Sequence, residues 1–198
     1  MRIFLLAFFL TLMVPFASHA QQTKVSFKSL RAPVDYAYVT SIVSTGNETK
    51  EDFLRRAGGI MEAYTQKTGF EVCSAIYESQ GRVGLYITTN LAHIGCITVN
   101  NPPMPNMVLT NEGIHTHPTD ENLRLNQNDE VLTNFRKRNR APFRPKPLEF
   151  SRTDYESGAG YLVAMGVMMY QNGVGSVVEK GQVTPPDPSV VASILPTP

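Results

Sequence analysis

The clearest pattern of hydrophobic and polar positions along the chain lies between Thr49 and Thr68. Apolar side chains recur there with a period of about 3.6 residues, as on the buried face of a helix. These positions are Phe53, Leu54, Ala57, Ile60, Met61 and Tyr64. Thr49 is a suitable N-cap, and Gly69 is a residue that ends helices. We therefore predict a helix over residues 49–68.

Shorter apolar runs rich in β-branched and aromatic residues predict a sheet. The predicted strands are Phe70–Tyr77, Gly84–Thr89, Ile94–Val99, Asn106–Leu109, Gly113–His117, Tyr161–Tyr170 and Val174–Glu179. Asp35–Val43 is either a strand or the lead-in to the first helix, and Leu123–Asn139 is a second helix candidate within a long polar segment. The nearly continuous run Tyr161–Tyr170 suits a central buried strand. The fold class is α+β, with a helix packed against a mixed or antiparallel sheet.

The two ends of the chain differ in composition from the segment between them. Residues 1–20 combine Arg2, an apolar run from Ile3 to Phe16 and a small-x-small site, which is the pattern of a secretory signal peptide. Residues 21–181 suit a single domain, and residues 182–198 are Pro-rich and expected to be disordered or draped over the surface. We expect an exported protein, periplasmic or secreted.

Charge and hydropathy exclude some partners. The chain has 18 Lys and Arg against 17 Asp and Glu, and removal of Arg2 with the signal peptide makes the two equal. A neutral chain has no overall field that attracts nucleic acid. After the signal peptide, no apolar run is long enough to span a membrane.

Cys73 and Cys96 are the two cysteines, and each lies in a predicted strand. In an oxidising compartment they could form a disulfide, which we slightly favour. The alternative is two buried thiols that pack as small apolar side chains.

The segment His115-Thr116-His117-Pro118 has the strongest candidate chemistry. In a strand, residues i and i+2 point to the same face, so both imidazoles can approach one ion. Imidazole and carboxylate are ligands of zinc, and three protein ligands leave one position for water. The alternative is a surface loop with chance histidines. His93, the other histidine after the signal peptide, is expected to be structural or exposed rather than a fourth ligand.

Two further segments supply carboxylates. Ser151-x-x-Asp154 is either an ordinary helix cap or a cap that also directs Asp154 at a metal, and both can hold at once. A hydrolytic zinc site also needs a carboxylate that transfers protons. The candidates are Glu62, Glu71, Glu78 and Glu112. Glu71 is preferred because it begins an apolar strand, although a charge facing water on an edge strand would give the same pattern.

Together, the Glu after the first helix, H-x-H-P and S-x-x-D resemble the JAMM (JAB/MPN) zinc metallopeptidase family. The resemblance implies a three-layer α/β/α-like fold of the JAMM and cytidine-deaminase type, a mixed sheet flanked by helices. It also implies Zn²⁺ held by His115, His117 and Asp154. Glu71 would activate water, and Ser151 would stabilise the oxyanion.

The chain departs from the usual family spacing in an insert at about 119–150, between the histidines and Ser151. Asp120 and Asp129 lie within it and are alternative ligands. Its basic residues, which include Arg136, Arg138 and Arg140, form either a solvated loop or a lid that recognises an acidic substrate.

These observations predict an exported zinc metallopeptidase that hydrolyses a peptide or isopeptide amide bond. Its substrate would be a peptide, a cell-wall peptide or a protein. Two alternatives stay open: a JAMM-fold binding or assembly subunit without catalysis, and a secreted toxin or effector.

Overall fold

The computed structural model describes residues 23–25, 34–133 and 142–196, and the predicted signal peptide lies outside them. The described residues form eight strands and four helices in the order β1 (Thr23–Val25), β2 (Val34–Val43), α1 (Lys50–Thr68), β3 (Cys73–Ser79), β4 (Arg82–Thr89), β5 (Val108–Thr116), α2 (Gln127–Thr133), α3 (Arg152–Glu156), β6 (Gly160–Ala164), β7 (Val167–Gln171), β8 (Val178–Gln182) and α4 (Pro188–Ile194).

Strands β2 to β8 form a seven-stranded mixed sheet in the order β2-β4-β3-β5-β6-β7-β8, and the three-residue β1 pairs with the outer edge of β2. β5 and β6 are parallel, and the other described pairs are antiparallel. The α+β class predicted from the sequence is therefore confirmed. The parallel pair matters for the site, because the polypeptide must cross over between β5 and β6, and that crossover contains the insert and α3.

Helix α1 forms where the sequence predicts it. Thr49 caps it by accepting a hydrogen bond from the Asp52 amide, and Gly69 ends it in the left-handed conformation at φ 76°. Its apolar side packs on one face of the sheet in a single core cluster that includes Phe53 and Met61. Burial of each such side chain stabilises the fold by about 1.5–3 kcal/mol. One face of the sheet is thereby filled by α1.

The predicted strand Ile94–Val99 is wrong, because this segment is irregular. β3 already pairs with β4 on one edge and with β5 on the other, so no edge remains beside Cys73 for a further strand. Side chains satisfy the amides instead: Asp129 accepts from Ile94, and Asn90 accepts from Ile97.

Two other strand predictions are wrong in their boundaries. Asn106–Leu109 and Gly113–His117 belong to one strand, β5, whose pairing with β3 shifts around Asn111 at φ 64°. Tyr161–Tyr170 is not one strand but the hairpin β6–β7, which turns at Met165 and Gly166 with φ values of 54° and 75°. Positive φ at both central residues is the geometry of a tight type I′ turn. A methionine there gives no turn signal in the sequence.

The remaining differences are smaller. The helix predicted over Leu123–Asn139 is α2, of which the structure shows Gln127–Thr133; residues 134–139 lie outside the described part of the chain. The strand predicted at Val174–Glu179 begins later, as β8. No helix among the described residues is long and apolar enough to cross a membrane.

The described residues of the Pro-rich C-terminal segment lie across α1. The Thr184 amide donates to the Arg55 carbonyl at 3.0 Å, and Ile194 and Leu195 pack against the core cluster. A Cβ added to Gly59 would lie 1.9 Å from the Thr184 carbonyl oxygen. The contact between α1 and the tail therefore depends on a glycine.

We expect Gly59→Ala to release the tail. Within a helix, alanine is more favourable than glycine by about 1 kcal/mol of helix propensity. At position 59, however, its methyl group would overlap the Thr184 backbone. Limited proteolysis should therefore cut residues 184–196 faster in the variant than in the wild type. Gly46→Ala, where no atom lies within 4 Å of the added Cβ, is the matched control. Unchanged protection of the tail in Gly59→Ala would contradict the packing described.

Candidate metal centre

His115 on β5 and His117, one residue after its end, lie on the face of the sheet opposite α1. Ile114 and Thr116 alternate with them and are buried on the α1 side. The Thr116 hydroxyl lies 2.6 Å from the Thr65 hydroxyl of α1 and accepts a hydrogen bond from the Val72 amide at 3.1 Å. Because side chains alternate along a strand, fixing Thr116 on the helix side directs His115 and His117 to the other side.

Glu71 reaches the same place from the neighbouring strand. In the antiparallel register of β3 and β5, Cys73 is opposite His115. Continued by two residues, this register puts Glu71 opposite His117, and Glu71 Oε1 lies 3.8 Å from His117 Nε2. Both side chains are largely buried. Glu71 is thus buried rather than facing water on an edge strand, and β3 begins two residues after it, not at Glu71 as the sequence predicts.

Helix α3 orients Asp154 through its own N-terminal cap. Ser151 Oγ accepts from the Asp154 amide at 3.2 Å, and Asp154 Oδ2 accepts from the Ser151 amide at 2.6 Å. The second carboxylate oxygen, Oδ1, lies 3.5 Å from His115 Nε2. The buried amide of Gln171 on β7 donates to the carbonyls of Asp154 and Gly158, which fastens α3 to the sheet. The cap and the ligand position are therefore both present.

His115, His117 and Asp154 could hold a metal ion. One donor atom from each lies within 4.8 Å of the others. His115 Nε2 is buried and has no hydrogen-bond partner in the described part of the chain. A bound metal ion would give this nitrogen a partner. Zinc bonds of about 2.0–2.1 Å in a tetrahedron separate neighbouring ligands by about 3.4 Å. The 3.5 Å between His115 Nε2 and Asp154 Oδ1 fits that edge.

Burial sets the protonation of the site. It lowers the pKa of His115, against the opposing effect of the Asp154 charge. Burial, followed by the neighbouring His115, lowers the pKa of His117 to about 3. Burial also raises the pKa of Glu71 well above its ordinary value, and the charges of Asp154 and Asp129 add to this. Both imidazoles are thus held neutral, the form that binds metal.

The other carboxylates considered from the sequence lie elsewhere. Glu62 accepts from the Gly166 amide in the β6–β7 turn, on the α1 side of the sheet. Glu78 and Glu112 both form ion pairs with Lys50, at 2.7 and 2.6 Å. Of the four glutamates, Glu71 is the one beside the histidines.

The alternative ligands in the insert do not join the cluster. Asp120 is exposed. Asp129 is fully buried, and its carboxylate accepts from the amides of His93, Ile94 and Asn126 and contacts the His93 ring. His93 is therefore structural, as predicted.

Residues at the end of the insert contact the histidines, and the sequence did not single them out. Backbone hydrogen bonds with Pro147 and Lys146 raise the pKa of His117. The Phe150 ring packs edge-on against His115, with centroids 6.2 Å apart, and also contacts Tyr155. An apolar residue directly before Ser151 is a signal in the sequence that Phe150 packs at the site. The backbone contacts of Lys146 and Pro147 leave no such signal, because any residue has a backbone carbonyl.

The structure decides the state of the cysteines in favour of a disulfide between Cys73 and Cys96. The bridge lies on the face of the sheet that carries the histidines, since Cys73 is opposite His115. Arg136, Arg138 and Arg140 lie outside the described residues, so the lid stays a prediction.

We expect metal binding to depend on the three ligands. His115→Ala and Asp154→Ala should each weaken Zn²⁺ binding by at least 10-fold in calorimetric titration, because each removes a donor atom. Asp120→Ala removes an exposed acid from the insert and should bind as the wild type does. Equal affinity in all the proteins would rule out this cluster as the site.

Comparisons of the chain with models of protein families, with curated proteins and with solved structures find no match. The arrangement therefore has to be interpreted from its own chemistry: two neutral imidazoles, a capped carboxylate and a buried glutamate on one face of a mixed sheet.

Proposed function

We propose that the protein is an exported zinc metallopeptidase of the JAMM type, with a JAMM-like fold, that hydrolyses a peptide or isopeptide amide bond. The observation that carries the proposal is the position of Glu71. Its buried carboxylate lies 3.8 Å from His117, beside a set of three donors that could hold a metal. The order of Glu, H-x-H-P and S-x-x-D along the chain supports the same proposal.

The donor set suits zinc. Two imidazoles and one carboxylate are ligands typical of catalytic zinc, whereas magnesium and calcium prefer oxygen alone. Bound there, zinc would polarise the scissile carbonyl and lower the pKa of a coordinated water. Neutral His115 and His117 can supply nitrogen donors without first losing a proton.

Glu71 performs the proton transfers in this proposal. Its carboxylate accepts a proton from the attacking water and passes it to the leaving amine. Burial raises the pKa of Glu71, and a nearby cation would lower it again, so the two effects bring the group toward the range useful for proton transfer. A glutamate fixed in a buried position loses little entropy on reaching the reacting atoms.

We assign Ser151 a supporting role in the same reaction. Its oxygen accepts the Asp154 amide in the cap, which leaves its hydroxyl hydrogen to be donated. Ser151 is exposed at the beginning of α3, where a substrate can approach it. In the proposal it donates to the oxyanion of the tetrahedral intermediate.

The disulfide bears on the compartment of the protein and on its substrate. The disulfide of Cys73 and Cys96 supports export, because disulfides persist in oxidising compartments. A cell-wall peptide or an exported protein is then a more suitable substrate than an intracellular one. A binding subunit without catalysis would not need a buried carboxylate beside the donor set, which ranks that alternative second.

We expect Glu71→Gln to retain zinc and lose hydrolysis. The amide keeps the shape of the side chain but cannot accept the proton, so kcat should fall by about 10²–10⁴-fold. Cleavage of a mixed peptide pool, followed by mass spectrometry, measures activity, and elemental analysis measures zinc. Glu78→Gln, on the strand that follows Glu71 but paired with Lys50, is the control and should stay active. Full activity in Glu71→Gln would remove its proposed role.

A further inference from the structure

Both main-chain groups of Glu71 bind residues 89–97, which comprise the last residue of β4 and the irregular segment after it and which we name the support loop. The Glu71 amide donates to the Ala92 carbonyl at 2.8 Å. The Glu71 carbonyl accepts from the Thr89 hydroxyl at 2.7 Å. Glu71 precedes β3, so these contacts, rather than a strand partner on this side, fix its backbone. The position of its carboxylate therefore depends on the conformation of the support loop.

The support loop is in turn held by the insert. Asp129 Oδ1 accepts from the amides of His93 and Ile94 at 2.6 and 3.0 Å, and Oδ2 lies 2.8 Å from His93 Nδ1. The same Oδ2 accepts from the Asn126 amide at 2.7 Å, which ties the start of α2 to the carboxylate. A fully buried carboxylate is costly unless its hydrogen bonds are satisfied, and here both oxygens are used.

Two asparagines of the insert bind further carbonyls of the support loop. Asn126 Nδ2 donates to the Leu91 carbonyl at 2.7 Å, and Asn128 Nδ2 donates to the Asn90 carbonyl at 2.8 Å. Side chains of residues 126–129 thus bind a main-chain carbonyl or amide on each side of Ala92: the carbonyls of residues 90 and 91 and the amides of residues 93 and 94. Ala92, the residue left to bind Glu71, lies at the centre of these contacts.

We propose that Asp129 is a positioning residue, which holds the support loop and thereby fixes the Glu71 carboxylate relative to His117. The effect of Asp129 on catalysis rests on the proposed function, whereas its contacts with the support loop do not. It gives the insert a role within the described residues: its first part orders the support of Glu71, while its end contacts both histidines through Lys146, Pro147 and Phe150.

The disulfide is a second attachment of the same loop. Cys96 is bonded to Cys73, two residues beyond Glu71. Two attachments that restrict one segment act together, so their effects should be larger in combination than in sum. Loss of the Asp129 contacts should therefore matter more after mild reduction of the disulfide.

Asp129→Asn tests the proposal. The variant keeps the size of the side chain, but its amide nitrogen cannot accept the hydrogen bonds that one carboxylate oxygen now accepts. In the metal-free protein, hydrogen exchange of the Glu71, His93 and Ile94 amides should become about 10-fold faster or more. In the zinc-loaded protein, kcat should fall by about 10–100-fold with little change in KM, because Glu71 acts only in the chemical step. Asp120→Asn, exposed in the same insert, should change neither quantity.

A purely structural role gives a different result. If Asp129→Asn lowers the melting temperature but leaves Glu71 amide exchange and kcat at the wild-type values, the proposal is overturned. Should that variant not fold, Asn128→Ala removes the hydrogen bond from Asn128 Nδ2 to the Asn90 carbonyl, and it should still accelerate exchange across 89–97. Unchanged exchange in Asn128→Ala would then overturn the proposal.

The experiment separates this inference from the proposed function. A wild-type protein that hydrolyses no peptide would refute the peptidase, while faster Glu71 exchange in Asp129→Asn would still support the positioning. An active wild type with unchanged exchange and unchanged kcat in that variant would refute the positioning alone.

Discussion

The hydroxyl contact between Thr65 and Thr116 is the interaction on which the arrangement of the site depends. It lies in the core between α1 and β5, and the same Thr116 hydroxyl accepts the Val72 amide of the adjacent chain segment. A buried hydroxyl needs hydrogen-bond partners. If β5 were turned over, the Thr116 hydroxyl would lose its contacts with Thr65 and Val72. One polar contact in an apolar core thus decides which face of the sheet receives the two histidines.

The candidate metal site is assembled from segments that are far apart in sequence. β5 and the residue after it supply the histidines, the segment before β3 supplies Glu71, and the first turn of α3 supplies Asp154. The antiparallel β3–β5 pair and the parallel β5–β6 pair bring these together, since α3 immediately precedes β6. The crossover required by the parallel pair is where the insert lies, so its length does not disturb the sheet.

Burial has opposite consequences for the groups of the site. It favours neutral His115 and His117, which suits them as nitrogen donors, and it makes an isolated charge on Glu71 unfavourable. Burial also acts to raise the pKa of Asp129, but hydrogen bonds from His93 and Asn126 outweigh it and lower the pKa. Among the described residues, the carboxylate of Asp129, which holds the support loop, has hydrogen bonds to both oxygens, whereas His115 Nε2 has no hydrogen-bond partner.

The sequence by itself determined the local features: α1 with its Thr49 cap and Gly69 end, the common face of His115 and His117, and the cap at Ser151. Each follows from periodicity or from contacts within four residues along the chain. Only the tertiary structure decided that Tyr161–Tyr170 is a hairpin, that Cys96 lies in an irregular loop, and that Asp129 binds that loop instead of the histidines. These outcomes depend on which strand edges are already paired and on which buried polar groups lack partners, and neither is encoded in the spacing of residues.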